Sequence, residues 1–462
     1  MILKPLFKIP SVSEGSVTGV DYTTAINGSN LVPFIVKTLS CIILFYLISG
    51  LVDDSSAQSS LYQSIVLTSI PILVYAYLLL REWNCVLIIV GLYFLKCGIG
   101  VFHYLTFVDP DYFLHPTSVK LTAVKDFIGM FDQVRLFANN YWGGTSSFSD
   151  LAYMPHAELY CLIAAIFHKI GVFILSIIPV NAFSSIMMAT MIGYVTKLRN
   201  GTWEIALILA GLFPMSLITS YFFRDMVGLL IATFFLVCIL LAKRNILFWL
   251  IIASVFFYLQ RTVYVLLPIA AYIIWLFFKN RSEGNNKNTI LIVCLIPILC
   301  VASYFSSSIF EQNEGYLSVI DNIFMYLLFP VRYFMCIIGP FPWSNTFNSP
   351  ESTFYLQDYV FSSAMFYITL RVFPNLYQDF INKKRVDYMV ILALLIMISG
   401  IFNSQTRLSY IGFGTCFFIP YLSSLFNKED FKMFHLKYFV YMALFNIMYV
   451  SLGIGGLSSI FK

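Results

Sequence analysis

Charge is what this chain has least of. Acidic and basic residues fill 11% of its 462 positions, where a soluble domain carries about 25%. The deficit runs the whole length, which excludes a soluble fold with one anchor. Residues 1–30 are polar, without the short apolar core and small-residue cleavage site of a signal peptide. The cysteines at 41, 85, 97, 161, 238, 294, 300, 336 and 416 fall mostly inside apolar runs. No C-x-x-C occurs and no histidine lies near a cysteine pair at zinc spacing, so they read as packed or lipid-facing small residues. A P-loop, G-x-G-x-x-G and H-E-x-x-H are all missing, which removes the common nucleotide and zinc-hydrolase sites. No Asp/Glu/His relay crosses the centres of the apolar runs, as a proton-driven carrier requires. The net charge of +5 comes from basic residues scattered through short loops, a pattern of membrane sidedness and not of nucleic-acid binding.

What the chain has is apolar surface: 59% of it is hydrophobic and 18% aromatic. A helical span takes ~20 such residues, so the expected fold is an all-α polytopic transmembrane helical bundle of about 12–14 spans, with residues 1–462 as a single integral membrane domain. The spans read as 31–50, 61–80, 84–102, 172–196, 203–220, 225–242, 246–260, 262–278, 289–305, 353–373, 387–402, 408–426 and 437–455. Between them lie basic clusters at Lys4/Lys8, Arg81, Lys197/Arg199, Lys243/Arg244, Lys279/Arg281/Lys287, Lys383/Lys384/Arg385 and Lys428/Lys432. Placing every cluster in the cytoplasm satisfies the positive-inside rule. Two long stretches then fall outside, 103–171 and 306–352. The first holds an amphipathic segment and the helix-like YMPHAELYCLIAAIFHKIG, which reads as lying along the interface.

Against this background the arginines that avoid the basic clusters stand out. Arg224 precedes Asp225 in SYFFRDMVGLL at the outer end of a span. Arg261 interrupts the apolar stretch Ile246–Phe278, in YLQRTVYVLL. Arg407 lies in FNSQTRLSYIGFG and Arg332 in FPVRYFM, both also outside. A lone arginine snorkelling to phosphates is the plainest alternative. Several converging on one face would form an anion site, because guanidinium is permanently charged and suits bidentate phosphate contacts. His156 and Glu158 open a helix after Pro155 and offer acid/base chemistry, as does Asp111 in DPD. Lys37 and Lys96 also lie within apolar runs, where snorkelling to a nearby end is expected.

Ser220, Arg224 and Asp225 opening a span, then Lys243–Arg244, another apolar run and Arg261, form a pattern that resembles Wzy-type O-antigen and capsule polymerases and the related EpsG-like proteins. Arg407 before an apolar run ending at Pro420–Tyr421 is similar to the same pattern. The long outer segment leading to YMPHAELYCLIAAIFHKIG resembles the first outer loop of the wider GT-C glycosyltransferases. The resemblance covers roughly residues 109–278 and, more thinly, 402–421. It departs where EpsG-like proteins often carry a histidine and this chain has Gln260–Arg261, and where GT-C enzymes show paired outer carboxylates and this chain offers Asp109 and Asp111.

The resemblance implies a polymerase in the bacterial inner membrane that joins undecaprenyl-pyrophosphate-linked repeat units at the outer face. It implies Arg224, Arg261, Asp225 and His156 as catalytic residues, and Arg407, Arg332, Tyr264 and Asp111 as substrate-binding residues. The expected partners are the lipid-linked glycan, membrane lipid and a chain-length regulator protein; no cofactor, metal or nucleic acid is required. Three alternatives stay open: a GT-C enzyme adding one sugar from a polyprenyl phosphate, a flippase or transporter for lipid-linked oligosaccharide, and an O-antigen ligase.

Overall fold

The computed structural model describes residues 30–49, 51, 57–107, 177–199, 201–212, 225–242, 245–260, 264–282, 372–379, 386–401, 414–424 and 440. They form an all-helical membrane protein, with no strand among the described residues. In chain order the helices are α1 (Leu31–Ser49), α2 (Ala57–Leu80), α3 (Asn84–Phe107), α4 (Ile177–Leu198), α5 (Trp203–Leu212), α6 (Asp225–Leu241), α7 (Ile246–Gln260), α8 (Leu267–Ser282), α9 (372–379), α10 (Tyr388–Ile401) and α11 (Ile419–Ser424), the last entered through a 3-10 turn at Cys416–Phe418. Four helical segments are long and apolar enough to cross a membrane: Leu31–Ile48, Tyr62–Leu80, Asn84–Val101 and Ile178–Leu198.

Helix α4 is the centre of the bundle. Of its Ile178–Leu198 span 89% is buried, against 22% of Leu31–Ile48 in α1, so α1 turns an apolar face outward to lipid. Ring stacking sets their relative direction. Phe34 near the start of α1 meets Tyr194 near the end of α4, while Phe45 meets Phe183 at 4.0 Å between centroids. The two helices are therefore antiparallel. Phe34 also stacks on Phe234, which joins α6 to the same layer.

Lipid offers no competing hydrogen bonds, so interior hydroxyls must find partners inside the bundle. Thr38 and the Tyr75 hydroxyl join α1 to α2 at 3.1 Å, and Thr68 and the Tyr93 hydroxyl join α2 to α3 at 2.6 Å. The thiol of Cys41 donates to the carbonyl of Pro71, a residue inside α2 that lacks an N–H of its own. Thr68 and Ser69, just before this proline, turn their hydroxyls back onto the carbonyls of Ser64 and Val66. Close approach elsewhere depends on missing side chains. A Cβ at Gly211 of α5 would lie 2.5 Å from Cδ1 of Leu92, and one at Gly414 would lie 2.7 Å from the carbonyl oxygen of Ala393 in α10.

Helix ends carry their own logic. Arg81 terminates α2 in the left-handed region, with φ 54°, and its N–H bonds the Tyr77 carbonyl at 2.8 Å. The last carbonyls of α2 are answered by two lysines from other helices: Lys37 Nζ donates to Leu78 at 2.7 Å and Lys197 Nζ to Leu80 at 2.5 Å. Gly201 closes α4 with a six-to-one bond to the Thr196 carbonyl at 2.9 Å.

Candidate functional site

Two of the eight expected site residues lie among the described residues, Asp225 and Tyr264. Arg224, Arg261, His156, Arg407, Arg332 and Asp111 lie outside them, as do residues 108–171 and 306–352, the span expected at 289–305, that expected at 353–373 apart from residues 372–373, and that expected at 437–455 apart from residue 440. What the described residues fix is the frame that flanks the first two arginines.

That frame is the hairpin of α6 and α7. Leu241 ends one helix and Ile246 begins the next, and Asn245 between them sits at φ 62°, a conformation asparagine tolerates. Phe235 stacks on Phe256 at 4.6 Å, and its ring also approaches Trp249 at 6.3 Å. With 17 and 15 residues, the helices measure about 25 and 22 Å, so their far ends come level to within about one turn. Those far ends are Asp225, the first residue of α6, and Gln260, the last of α7. Arg224 and Arg261 are the adjoining residues in the chain.

The near end of the hairpin belongs with the basic clusters. Cys238 lies within electrostatic reach of Tyr75, as Tyr194 does, three residues before the end of its helix. Lys197 pairs with Glu82 at 2.8 Å at the same end of the bundle. Asp225 and Gln260 consequently occupy the end away from Arg81, Lys197 and Arg199.

Tyr264 is buried, at 2% exposure, in a short 3-10 turn that precedes α8. The described part of the expected span 262–278 becomes α-helical at Leu267: Tyr264 is in a 3-10 turn, residues 265–266 form a turn, and the Leu266 carbonyl accepts from the Ala270 N–H at 2.9 Å, which opens the helix. Helix α8 also departs from the alternation of loop charges. The Tyr388 hydroxyl donates to the Pro268 carbonyl at 3.0 Å, and the Tyr272 and Tyr388 rings meet at 6.3 Å. Loop charge puts Pro268 near the outer end and Tyr388 near the inner one; the structure puts them side by side. At 16 residues, about 24 Å, α8 is shorter than the ~30 Å apolar layer, so its start need not lie at a surface.

Three charged side chains lie in the interior, Arg199, Asp387 and Lys96, where the sequence reading did not place them. Arg199 grips Asp387 through two parallel bonds, NH1 to Oδ2 at 2.5 Å and NH2 to Oδ1 at 2.9 Å, with side-chain exposures of 4% and 6%. Counting Arg199 as a loop cation hid it; the clue was Asp387, a carboxylate at a span start beside three cations. Lys96 is 1% exposed and does not snorkel to an end as expected. It lies one turn beyond Leu92, the residue that abuts Gly211, and within electrostatic reach of Cys416. Lys37 behaves differently, reaching the end of α2.

Helix α4 contributes polar groups as well. Asn181 is fully buried, and neither its amide nor the Ser185 hydroxyl one turn on meets a hydrogen-bond partner among the described residues. No group of three or more His, Cys, Asp or Glu side chains suited to a metal occurs among the described residues. The described frame thus supplies one interior lysine, a buried ion pair and a hairpin end whose terminal helical residues, Asp225 and Gln260, adjoin two arginines in the chain. No family model matches the chain, and neither a curated protein nor a solved structure matches it.

Proposed function

We propose that this protein polymerises undecaprenyl-pyrophosphate-linked oligosaccharide repeat units at the outer face of the bacterial inner membrane. The observation that carries the reading is the α6–α7 hairpin: Asp225 and Gln260 share one end, opposite the basic clusters, and an arginine adjoins each.

The chemistry asks for that arrangement. The bond between the anomeric carbon of the donor glycan and the pyrophosphate oxygen breaks, and the lipid pyrophosphate leaves with the electron pair. An acceptor hydroxyl oxygen forms the new glycosidic bond and gives its proton to a base, for which His156 is the candidate. Charge grows on the leaving group, and fixed cations aimed at growing charge supply the largest single catalytic contribution in most enzymes. Arg224 and Arg261 fill that role, Asp225 orients Arg224, and Arg407, Arg332, Tyr264 and Asp111 hold donor or acceptor. A chain-length regulator is the expected protein partner.

The test is genetic. In a polysaccharide-producing host with this gene deleted, the glycan collapses to a single repeat. Wild type restores long chains; Arg224→Ala and Arg261→Ala do not. Unchanged chain length with one side-branch sugar missing overturns the reading in favour of single-sugar transfer.

A further inference from the structure

We propose that the end of α2 binds the phosphate of an anionic phospholipid, in the leaflet that the basic loops face. Three cations from three places in the chain gather there: Lys37 of α1, Arg81 just after α2, and Lys197 of α4. Two of them hold backbone carbonyls of the last turn, at Leu78 and Leu80. Among the described residues Glu82 forms an ion pair with Lys197 and with neither Lys37 nor Arg81. Lys37 and Arg81 are left as like charges close enough to repel each other, and Arg81 also lies within reach of Tyr194. Arg81 is exposed and Lys37 half-buried, so the place is open to a ligand. A phosphate between two such cations relieves their repulsion and takes charge-assisted hydrogen bonds from both.

Lipid fits this place better than a free anion. Trp83 is 74% exposed, and its ring leans against Tyr77 with centroids 4.7 Å apart. An exposed tryptophan–tyrosine pair beside cations marks headgroup depth. Leading away from the charges, Val36 and Ile43 on α1 and Ile70, Val74 and Leu78 on α2 are exposed apolar side chains. They offer acyl chains a continuation that inorganic phosphate has no use for. Basic pockets between transmembrane helices on the cytoplasmic side are a known form of headgroup recognition. The inference is independent of the polymerase reading.

The experiment uses the full chain purified in a nonionic detergent, with bound lipid counted by native mass spectrometry. Dioleoyl phosphatidylglycerol is expected to bind in preference to dioleoyl phosphatidylcholine. Arg81→Asn, which keeps a residue tolerant of positive φ, weakens phosphatidylglycerol binding about fivefold, the loss expected for one surface cation. Trp83→Ala, at an exposed position, weakens it as well, which keeps the test available if Arg81→Asn fails to fold. Lys279→Gln, whose ammonium lies over Trp275 on α8, leaves binding unchanged. Glycerol 3-phosphate does not compete. Wild-type binding by Arg81→Asn or Trp83→Ala, equal binding of phosphatidylcholine, or full competition by glycerol 3-phosphate each overturns the proposal.

Discussion

Removing Asp387 isolates the contribution of the buried ion pair. Its carboxylate takes both terminal nitrogens of Arg199, at 2.5 and 2.9 Å, and both side chains are almost wholly out of solvent. In Asp387→Ala the guanidinium stays buried and loses the Asp387 carboxylate, and breaking a buried pair in this way costs about 3–5 kcal/mol. The double change Arg199→Met with Asp387→Leu removes both charges and keeps apolar volume. Such replacements are often neutral or stabilising, so the double variant should regain most of that loss. The assay is equilibrium unfolding of the full chain in mixed dodecylsulfate micelles, followed by tryptophan fluorescence. A single variant within about 0.5 kcal/mol of wild type, the range of ordinary surface changes, refutes the reasoning. So does a double variant no more stable than the single one.

Three further outcomes follow from the packing. Gly211→Val drives a side chain into Leu92, whose Cδ1 lies 2.5 Å from a Cβ placed there; it should destabilise by about 1–3 kcal/mol and be partly rescued by Leu92→Ala, measured by the same unfolding assay. Tyr93→Phe removes the 2.6 Å bond to Thr68 and should cost about 0.6 kcal/mol and no more than about 1.7, the average and the maximum measured for hydrogen bonds between membrane helices. Cys41, Cys85, Cys97, Cys238 and Cys416 are buried thiols, so peptide mapping after maleimide treatment of the folded protein should find all five unmodified. Modification of any of them without denaturant contradicts its packing.

The periodic parts of the fold were legible in the sequence for plain reasons. The starts of α3 at Asn84, α5 at Trp203, α6 at Asp225 and α7 at Ile246 coincide with the expected span starts, because each follows a short polar break that ends an apolar run. Hydropathy was a weaker guide where a helix outlasts its apolar run. Helix α3 continues to Phe107, past the expected end at 102, through His103 and Tyr104. A hydropathy sum records that Lys96 is charged and says nothing of which way it points, so its burial was invisible. Arg199 and Asp387 are 188 positions apart, a pairing that no local pattern encodes. Tyr388 against Pro268 was hidden for a related reason: loop charge counts cations at helix ends and is blind to the depth at which a short helix begins. Of the candidate site, the sequence supplied the arginines and the structure supplied the hairpin that puts their chain neighbours at one end.

The most direct test of the central claim is polymerisation by the purified full chain, given a lipid-linked repeat unit, with glycan length and released lipid measured together. The account predicts a ladder of lengthening glycans with undecaprenyl pyrophosphate released in step. It also predicts that Arg224→Ala and Arg261→Ala each slow turnover roughly 10²–10³-fold, as the loss of one oxyanion-hole donor does, while unfolding as wild type does. Undiminished turnover in both variants, or release of a lipid monophosphate in place of the pyrophosphate, contradicts it.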